Sequence, residues 1–437
     1  MDMTTNTALL WDESFLWGLM AYKALNSNDL PFELVRSEEI KNGILKNYKT
    51  LFVPGGWASN KIKTLGDNGT KEIRSFVKNG GNYIGFCGGA GLATLDGIGL
   101  LNIKRRPTKE RVPSFSGRIQ LNISEHPVWN DLAENNSPVF HAWWPSQFLV
   151  EDESIKVLAT YGKAMPDSFS SDMNVGDVEA KGNWPGLEAV YKIKLDPERL
   201  VGEPAVIGGL YGKGRVVLSL VHFDTPDDAN GAAVLRNLWE YVGSTKARKS
   251  GNEAAVPLLR QAQDDSVMVS LSNYGLSPLI NDLESSVEEL ISLGVRNFLW
   301  FWRNPMLLQW RRGVRGLEYC TLYVMIKEIT EIIQMQHSPT IGAEAALSIQ
   351  HLEIKLDEIK KLLLPFVAKA KGLLVMERLA MQNGHITYER CEDPEIKKLR
   401  EELFSTSKSH GGLFKELLDE TDKLLYNLLT TVDNQGQ

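Results

Sequence analysis

The stretch that most constrains the chain is Gly81-Asn82-Tyr83-Ile84-Gly85-Phe86-Cys87-Gly88-Gly89-Ala90-Gly91. An apolar run from Tyr83 to Phe86 reads as a strand and ends on a cysteine. Glycines follow at once, and the small residues from Ala90 to Leu95 can start a helix. A nucleophile on a sharp strand-to-helix turn needs this composition, because the glycines let the backbone bend tightly and let a substrate approach. A helix N-terminus behind the cysteine favours an anionic sulfur, the attacking form.

On either side of this turn, strand and helix patterns alternate. Thr7 to Trp11 reads as a buried strand, followed by an apolar helix from about Ser14 to Asn26. Phe32 to Arg36 and Thr50 to Val53 are further strands, the second ending in Pro54-Gly55-Gly56-Trp57. A helix over about Thr70 to Asn79 leads into the Cys87 strand. Such alternation predicts parallel strands with right-handed crossovers, and ligands in such sheets bind beyond the carboxyl ends of the strands. From Leu100 to about Leu195 the pattern is β-rich and irregular. Strands are predicted over Arg118 to Ile123 and Ala189 to Ile193, with a polar stretch from Pro166 to Pro185 as a candidate flap. A hairpin over Pro204 to Leu210 and Gly214 to Val221 runs into His222-Phe223-Asp224-Thr225-Pro226.

Cys87 and His222 each follow a strand, which lets a nucleophile and a base on different strands meet. Asp224, two residues on, points the same way in extended chain and can orient the imidazole. Gly56 and Gly88 offer backbone N–H groups to an oxyanion. Gly55, Trp57, His141, Trp143 and Gln147 are candidates for lining a substrate site. The bland alternatives are a buried structural Cys87, an Asp224 that only starts a turn, and aromatic residues that only fill a core.

Three motifs in order, Pro54-Gly55-Gly56, Gly85-Phe86-Cys87-Gly88-Gly89 and His222-x-Asp224, resemble the class I glutamine amidotransferase-like superfamily. Phe52-Val53-Pro54-Gly55-Gly56, the Gly85–Ala90 elbow and Gly212-Lys213-Gly214-Arg215-Val216-Val217-Leu218-Ser219 make the chain look most like the domain at the N-terminus of some biotin–protein ligases. The resemblance covers residues of about 6–245. It implies a flavodoxin-like three-layer α/β domain with a mostly parallel sheet and a catalytic triad of Cys87, His222 and Asp224. The chain departs from the family in carrying Asp224 where Glu is usual, and Ala142-Trp143-Trp144-Pro145 where a Gly-Gly-Pro turn is common. Nothing after residue 245 resembles a biotin ligase or an amide-forming synthetase.

At 437 residues the chain is long enough for two domains. The division read from the sequence is an α/β domain over 1–245, a linker over 246–275 and an α-helical bundle over 276–437. Bundle helices are predicted from Ser277-Pro278, from Asn304-Pro305 to about Met335, from about Ala343 to Ala370 with a kink at Pro365, from Asp393-Pro394, and over Gly412 to Val432. Phe298, Trp300, Phe301, Trp302 and Trp310 read as aromatics packed between these helices, with Arg303, Arg311 and Arg312 reaching solvent. Glu344, His351 and Glu353 lack the Glu-x-x-His spacing of a bundle metal site, so neither a metal nor another cofactor is expected.

A formal net charge of −7 argues against nucleic acid and anionic membranes as partners. Three cysteines, far apart in sequence, together with the absence of a basic leader or a long apolar run, fit a cytoplasmic protein. The expected activity is that of a cysteine-nucleophile hydrolase or amidotransferase-like enzyme on an amide or related acyl bond. Its rival is an inactive ligand-binding module whose helical half mediates protein assembly.

Overall fold

Four apolar runs build the centre of the N-terminal unit. In the computed structural model, which describes residues 6–132, 138–243, 276–335, 343–384, 391–406 and 409–435, they are β1 (Thr7–Leu10), β3 (Thr50–Val53), β4 (Asn82–Phe86) and β13 (Gly214–Ser219). Ala8, Leu9, Leu51, Phe52, Ile84, Phe86, Val216 and Leu218 are all fully buried, the signature of parallel strands covered on both faces. With β2 (Glu33–Val35) they form the parallel series β2-β1-β3-β4-β13. The crossovers carry the helices Leu16–Ser27 and Ala58–Lys78. The second begins directly after Trp57, twelve residues before the predicted start at Thr70, and bends at Gly66, where φ is 58°.

An antiparallel half extends the same sheet beyond β13. It comprises β12 (Pro204–Tyr211), β9 (Lys156–Ala164), β6 (Phe115–Ile123), β10 (Phe169–Ser170) and β11 (Met173–Asn174), with β7 (Val139–Trp143) paired to β6. Two short strands, β5 (Lys104–Arg105) and β8 (Phe148–Leu149), make a separate pair. The architecture is the expected flavodoxin-like α/β fold, with a parallel core and an antiparallel extension.

Two readings of this region are corrected. Ala189 to Ile193 is not a strand: Trp184–Tyr191 is a helix, capped by the Asn183 side chain accepting from Gly186 N, with Pro185 in its first turn and Lys192 closing it at φ 58°. The stretch Pro166 to Pro185 is not a bare flap. It carries β10, β11 and the helix Val175–Lys181, whose Asn174 cap accepts from Asp177 N.

The chain divides into two compact units, Met1–Gly243 with Trp302–Arg312, and Ser244–Phe301 with Gly313–Gln437. The linker read at 246–275, and a strand-like run within it, lie outside the described residues. The helical unit contains the helices Leu276–Arg296, Gly316–Met335, Ala343–Ala380, Pro394–Phe404 and Gly412–Gln435. Asp393 caps the fourth by accepting from Glu395 N and Ile396 N, as its Asp-Pro start predicts.

The helix predicted to start at Asn304-Pro305 is a third correction. Residues there form a strand pair, β14 (Trp300–Asn304) and β15 (Leu307–Trp310), with Asn304 Oδ1 accepting from Met306 N in the turn. The segment Trp302–Arg312 belongs to the α/β unit, where Arg303 Nη1 donates to Ser116 O and Trp310 stacks on Trp144 at 4.8 Å. Trp310 therefore does not pack between bundle helices and Arg303 is bonded within the α/β unit rather than reaching solvent, whereas Trp300 does pack there, its Nε1 donating to Ile291 O beside the Tyr319 ring.

Candidate active site

Three strands end together. Registers of Val53 with Gly85 and of Phe86 with Ser219 put Pro54, Cys87 and Leu220 at one carboxyl edge of the parallel core. Cys87 N donates to Ser219 O at 2.8 Å, which pins the elbow to β13. Cys87 itself has φ 46° and ψ −101°, a conformation that costs a residue with a side chain about 1–3 kcal/mol and is typical of sites that hold a nucleophile out of a strand. It heads the five-residue helix Gly88–Leu92, and Gly91 N donates back to its carbonyl at 2.9 Å. Cys87 is partly exposed, whereas Cys320 and Cys391 are buried.

Glycine is obligatory on both sides of this junction. A Cβ on Gly88 would fall 1.9 Å from Gly56 O and 3.0 Å from Gly56 N, so the loop after β3 and the start of the elbow helix lie backbone against backbone. Gly56 has φ 108°, and a Cβ there would meet Glu13 O at 2.4 Å. The two amides chosen as oxyanion donors are thus neighbours. A Cβ on Gly55 would come within 3.1 Å of His222 Cε1, which brings the same loop to the imidazole.

His222 and Asp224 are both fully buried. Asp224 Oδ1 lies 2.9 Å from His222 Nδ1. A carboxylate only accepts, so Nδ1 carries a hydrogen towards Asp224 and Nε2 is the nitrogen left for exchange with Cys87. The backbone amide of His222 donates to His141 O at 2.8 Å, and Thr225 Oγ1 donates to the His222 carbonyl at 3.0 Å. Burial by itself lowers the imidazole pKa, but the charge and hydrogen bond of Asp224, followed by Cys87, reverse this and push it up to about 10. Nε2 has no partner at ordinary hydrogen-bond geometry, although Cys87 is near enough to act on the ring. The Cys87–Nε2 contact is therefore long or poorly aligned.

Of the remaining candidates, His141 pairs with Asp228 (Nδ1 to Oδ2, 3.0 Å) and stacks on Trp143. Trp143 Nε1 donates to Thr225 Oγ1, so both residues brace the loop that carries His222 and Asp224. Gln147 is buried, and its Oε1 accepts from Val112 N, which commits it to the segment after β5. Trp57 is 40% exposed at the head of the Ala58–Lys78 helix. Two further aromatic residues, Trp17, which the sequence did not mark, and Trp144, which it read as core, follow in series from the imidazole. The Trp17 ring lies 4.8 Å from that of His222, and Trp144, at φ 50°, sets its ring 6.1 Å from Trp17. Trp17 looks like any core position of an apolar helix, and no local signal marks it out. Among the described residues no cluster of His, Cys, Asp and Glu could hold a metal, and no helix is long and apolar enough to cross a membrane.

Comparison with solved structures finds similar folds at low identity. A GMP synthase-like protein from Thermoplasma acidophilum is 10% identical, with 55% of this chain and 94% of that one covered at a TM-score of 0.37. A glutamine amidotransferase is 18% identical, with 54% and 97% covered at a TM-score of 0.33. A beta-galactosidase from Bacillus circulans sp. alkalophilus is 15% identical, with 55% and 31% covered at a TM-score of 0.34. No curated protein matches the chain. Residues 33–96, from β2 through the Cys87 elbow, match the family described as biotin-protein ligase, N terminal, so the resemblance read from the motifs stands over that span.

Proposed function

We propose that the α/β unit is a cysteine-dependent hydrolase of an amide or related acyl bond. The observation that carries this reading is the buried His222–Asp224 pair beside a partly exposed cysteine held at positive φ. Asp224 holds the ring charged at neutral pH, in keeping with a pKa raised to about 10, and the proton that His222 Nε2 carries is the one the Cys87 thiol gives up. The sulfur attacks the carbonyl carbon, and the N–H groups of Gly56 and Gly88 donate to the oxygen as it becomes negative. Collapse of that intermediate breaks the C–N bond. The imidazolium gives its proton to the leaving amine, and an acyl thioester remains on Cys87. Water, deprotonated by His222, then releases the acid and restores the thiol. No acceptor-activating part is recognisable in the helical unit, which favours hydrolysis, or delivery of ammonia to a separate protein, over synthesis within this chain.

Release of ammonia or amine from a panel of primary and secondary amides, L-glutamine among them, tests the reading. The wild-type chain is expected to turn over at least one of them, and Cys87→Ala to lose about a hundredfold or more in rate. An inert wild type that also forms no covalent adduct at Cys87 would contradict it.

A further inference from the structure

The segment that follows the elbow helix is basic: Lys104-Arg105-Arg106-Pro107-Thr108-Lys109-Glu110-Arg111. Its three arginines are treated differently by the fold. Arg106 Nη2 meets both oxygens of Glu203, at 3.0 and 3.1 Å. Arg105 has no hydrogen-bond or ion-pair partner among the described residues, although its Nη1 lies 2.8 Å from where a Cβ on Gly91 would sit, one helical turn beyond Cys87. Arg111 donates only to hydroxyls, Ser146 Oγ at 2.5 Å and Thr108 Oγ1 at 3.3 Å. The Nε atoms of Arg105 and Arg111 are both shielded from solvent and unpartnered.

The fold brings these groups together: Arg105 pairs opposite Phe148 in the β5–β8 ladder, Arg111 reaches Ser146 just before β8, and Tyr161 N donates to the carbonyl of Glu203, whose carboxylate holds Arg106. Burial lowers the Arg111 pKa and Arg105 lowers it further, while Cys87 and Tyr161 act in the opposite sense. Tyr161, on β9, is fully buried, and its hydroxyl has no partner among the described residues. Burial raises its pKa well above the ordinary value, so it is a neutral donor at physiological pH, and it too feels Cys87 and Arg111. Two like charges and an unspent O–H gathered in a partly desolvated place are unfavourable unless an anion completes them.

We propose that Arg105, Arg111 and Tyr161 form a subsite beside Cys87 that binds an oxyanion, a carboxylate or a phosphate, on the substrate. That the anion belongs to the substrate rests on Cys87 being the nucleophile; the anion site itself does not. Guanidinium groups suit this task because they offer forked donors to paired oxygens.

The test is the ratio of Cys87 alkylation rates by iodoacetate and iodoacetamide, which share a leaving group and size but differ in charge. It is read against the same ratio for mercaptoethanol, an uncharged free thiol. In the full wild-type chain the ratio is expected to exceed the free-thiol value about tenfold, and to fall towards it in Arg105→Gln and Arg111→Gln. Equal ratios in all three proteins overturn the subsite and leave the nucleophile untouched. If Cys87 reacts with neither reagent, the nucleophile reading fails and the subsite is decided by melting temperature. A rise in sodium phosphate or sodium succinate over sodium chloride of equal ionic strength, abolished in Arg105→Gln, supports it. The more effective salt distinguishes phosphate from carboxylate, and no rise in either overturns it.

Discussion

At the scale of single residues, the chemistry turns on how His222 is held. A free histidine titrates near 6.5, and here the folded value is raised to about 10. A group whose pKa is raised by folding adds stability that is fully present below the unfolded value and is lost as pH rises through the folded one. The urea midpoint of the wild-type chain should therefore fall as pH rises from about 6.5 to about 10. Asp224→Asn, which removes the charge but keeps a polar group on Nδ1, should flatten this slope. Parallel slopes in the two proteins would mean that Asp224 does not hold the proton on the ring. At this scale the site is legible in the sequence where a short motif carries its own geometry. Cys87 between glycines and His222 two residues before Asp224 are such cases. Trp17 is not legible, because its ring meets His222 only through tertiary packing, and neither are Arg105 and Arg111, because a basic run normally reads as a solvated surface.

At the scale of elements, capping and periodicity foretold most helices, and the failures have physical causes. Val190 and Tyr191 favour a strand locally, but the Asn183 cap and Pro185 in the first turn start a helix there. Trp300 to Trp310 lies between helices and carries an Asn-Pro start signal. Pairing of β14 with β15 and the anchoring of Arg303 on Ser116 O override it, and neither is visible in a local window. In the helical unit the buried ion pair Arg400–Glu377 (Nε to Oε1, 2.7 Å) joins the helices Pro394–Phe404 and Ala343–Ala380. Burial outweighs the attraction of Arg400 and raises the Glu377 pKa to about 7. Its contribution is thus complete below about pH 4.5 and fades as pH rises through about 7. His410, in the same unit, is pushed down to about 4, chiefly by burial, and acts the other way, removing stability as pH falls from about 6.5. Urea midpoints followed by far-ultraviolet circular dichroism should show the two contributions offsetting between about pH 4.5 and 6.5 in the wild type, and Glu377→Gln should leave a midpoint that rises with pH across that interval through His410 alone. An unchanged profile would refute this assignment.

At the scale of the whole chain, an α/β part and a helical part are distinct, but they do not separate at a single point. The chain leaves the α/β unit after Gly243 and supplies Trp302–Arg312 to it later. A boundary drawn from composition cannot anticipate such a return, because nothing in residues 302–312 names Ser116, Trp143 or Trp144 as neighbours. The cysteines are the feature through which the whole chain can be interrogated at once, since Cys87 alone is partly exposed while Cys320 and Cys391 are buried in the helical unit. The central claim is that the buried His222–Asp224 pair activates Cys87. The direct measurement is the rate of iodoacetamide labelling at each cysteine of the native chain at neutral pH, resolved by peptide mass spectrometry, in the wild type and in His222→Asn, with circular dichroism confirming that both are folded. The account predicts that Cys87 is labelled at least about tenfold faster in the wild type than in His222→Asn, with Cys320 and Cys391 slow in both. Equal Cys87 rates in two folded proteins would contradict it.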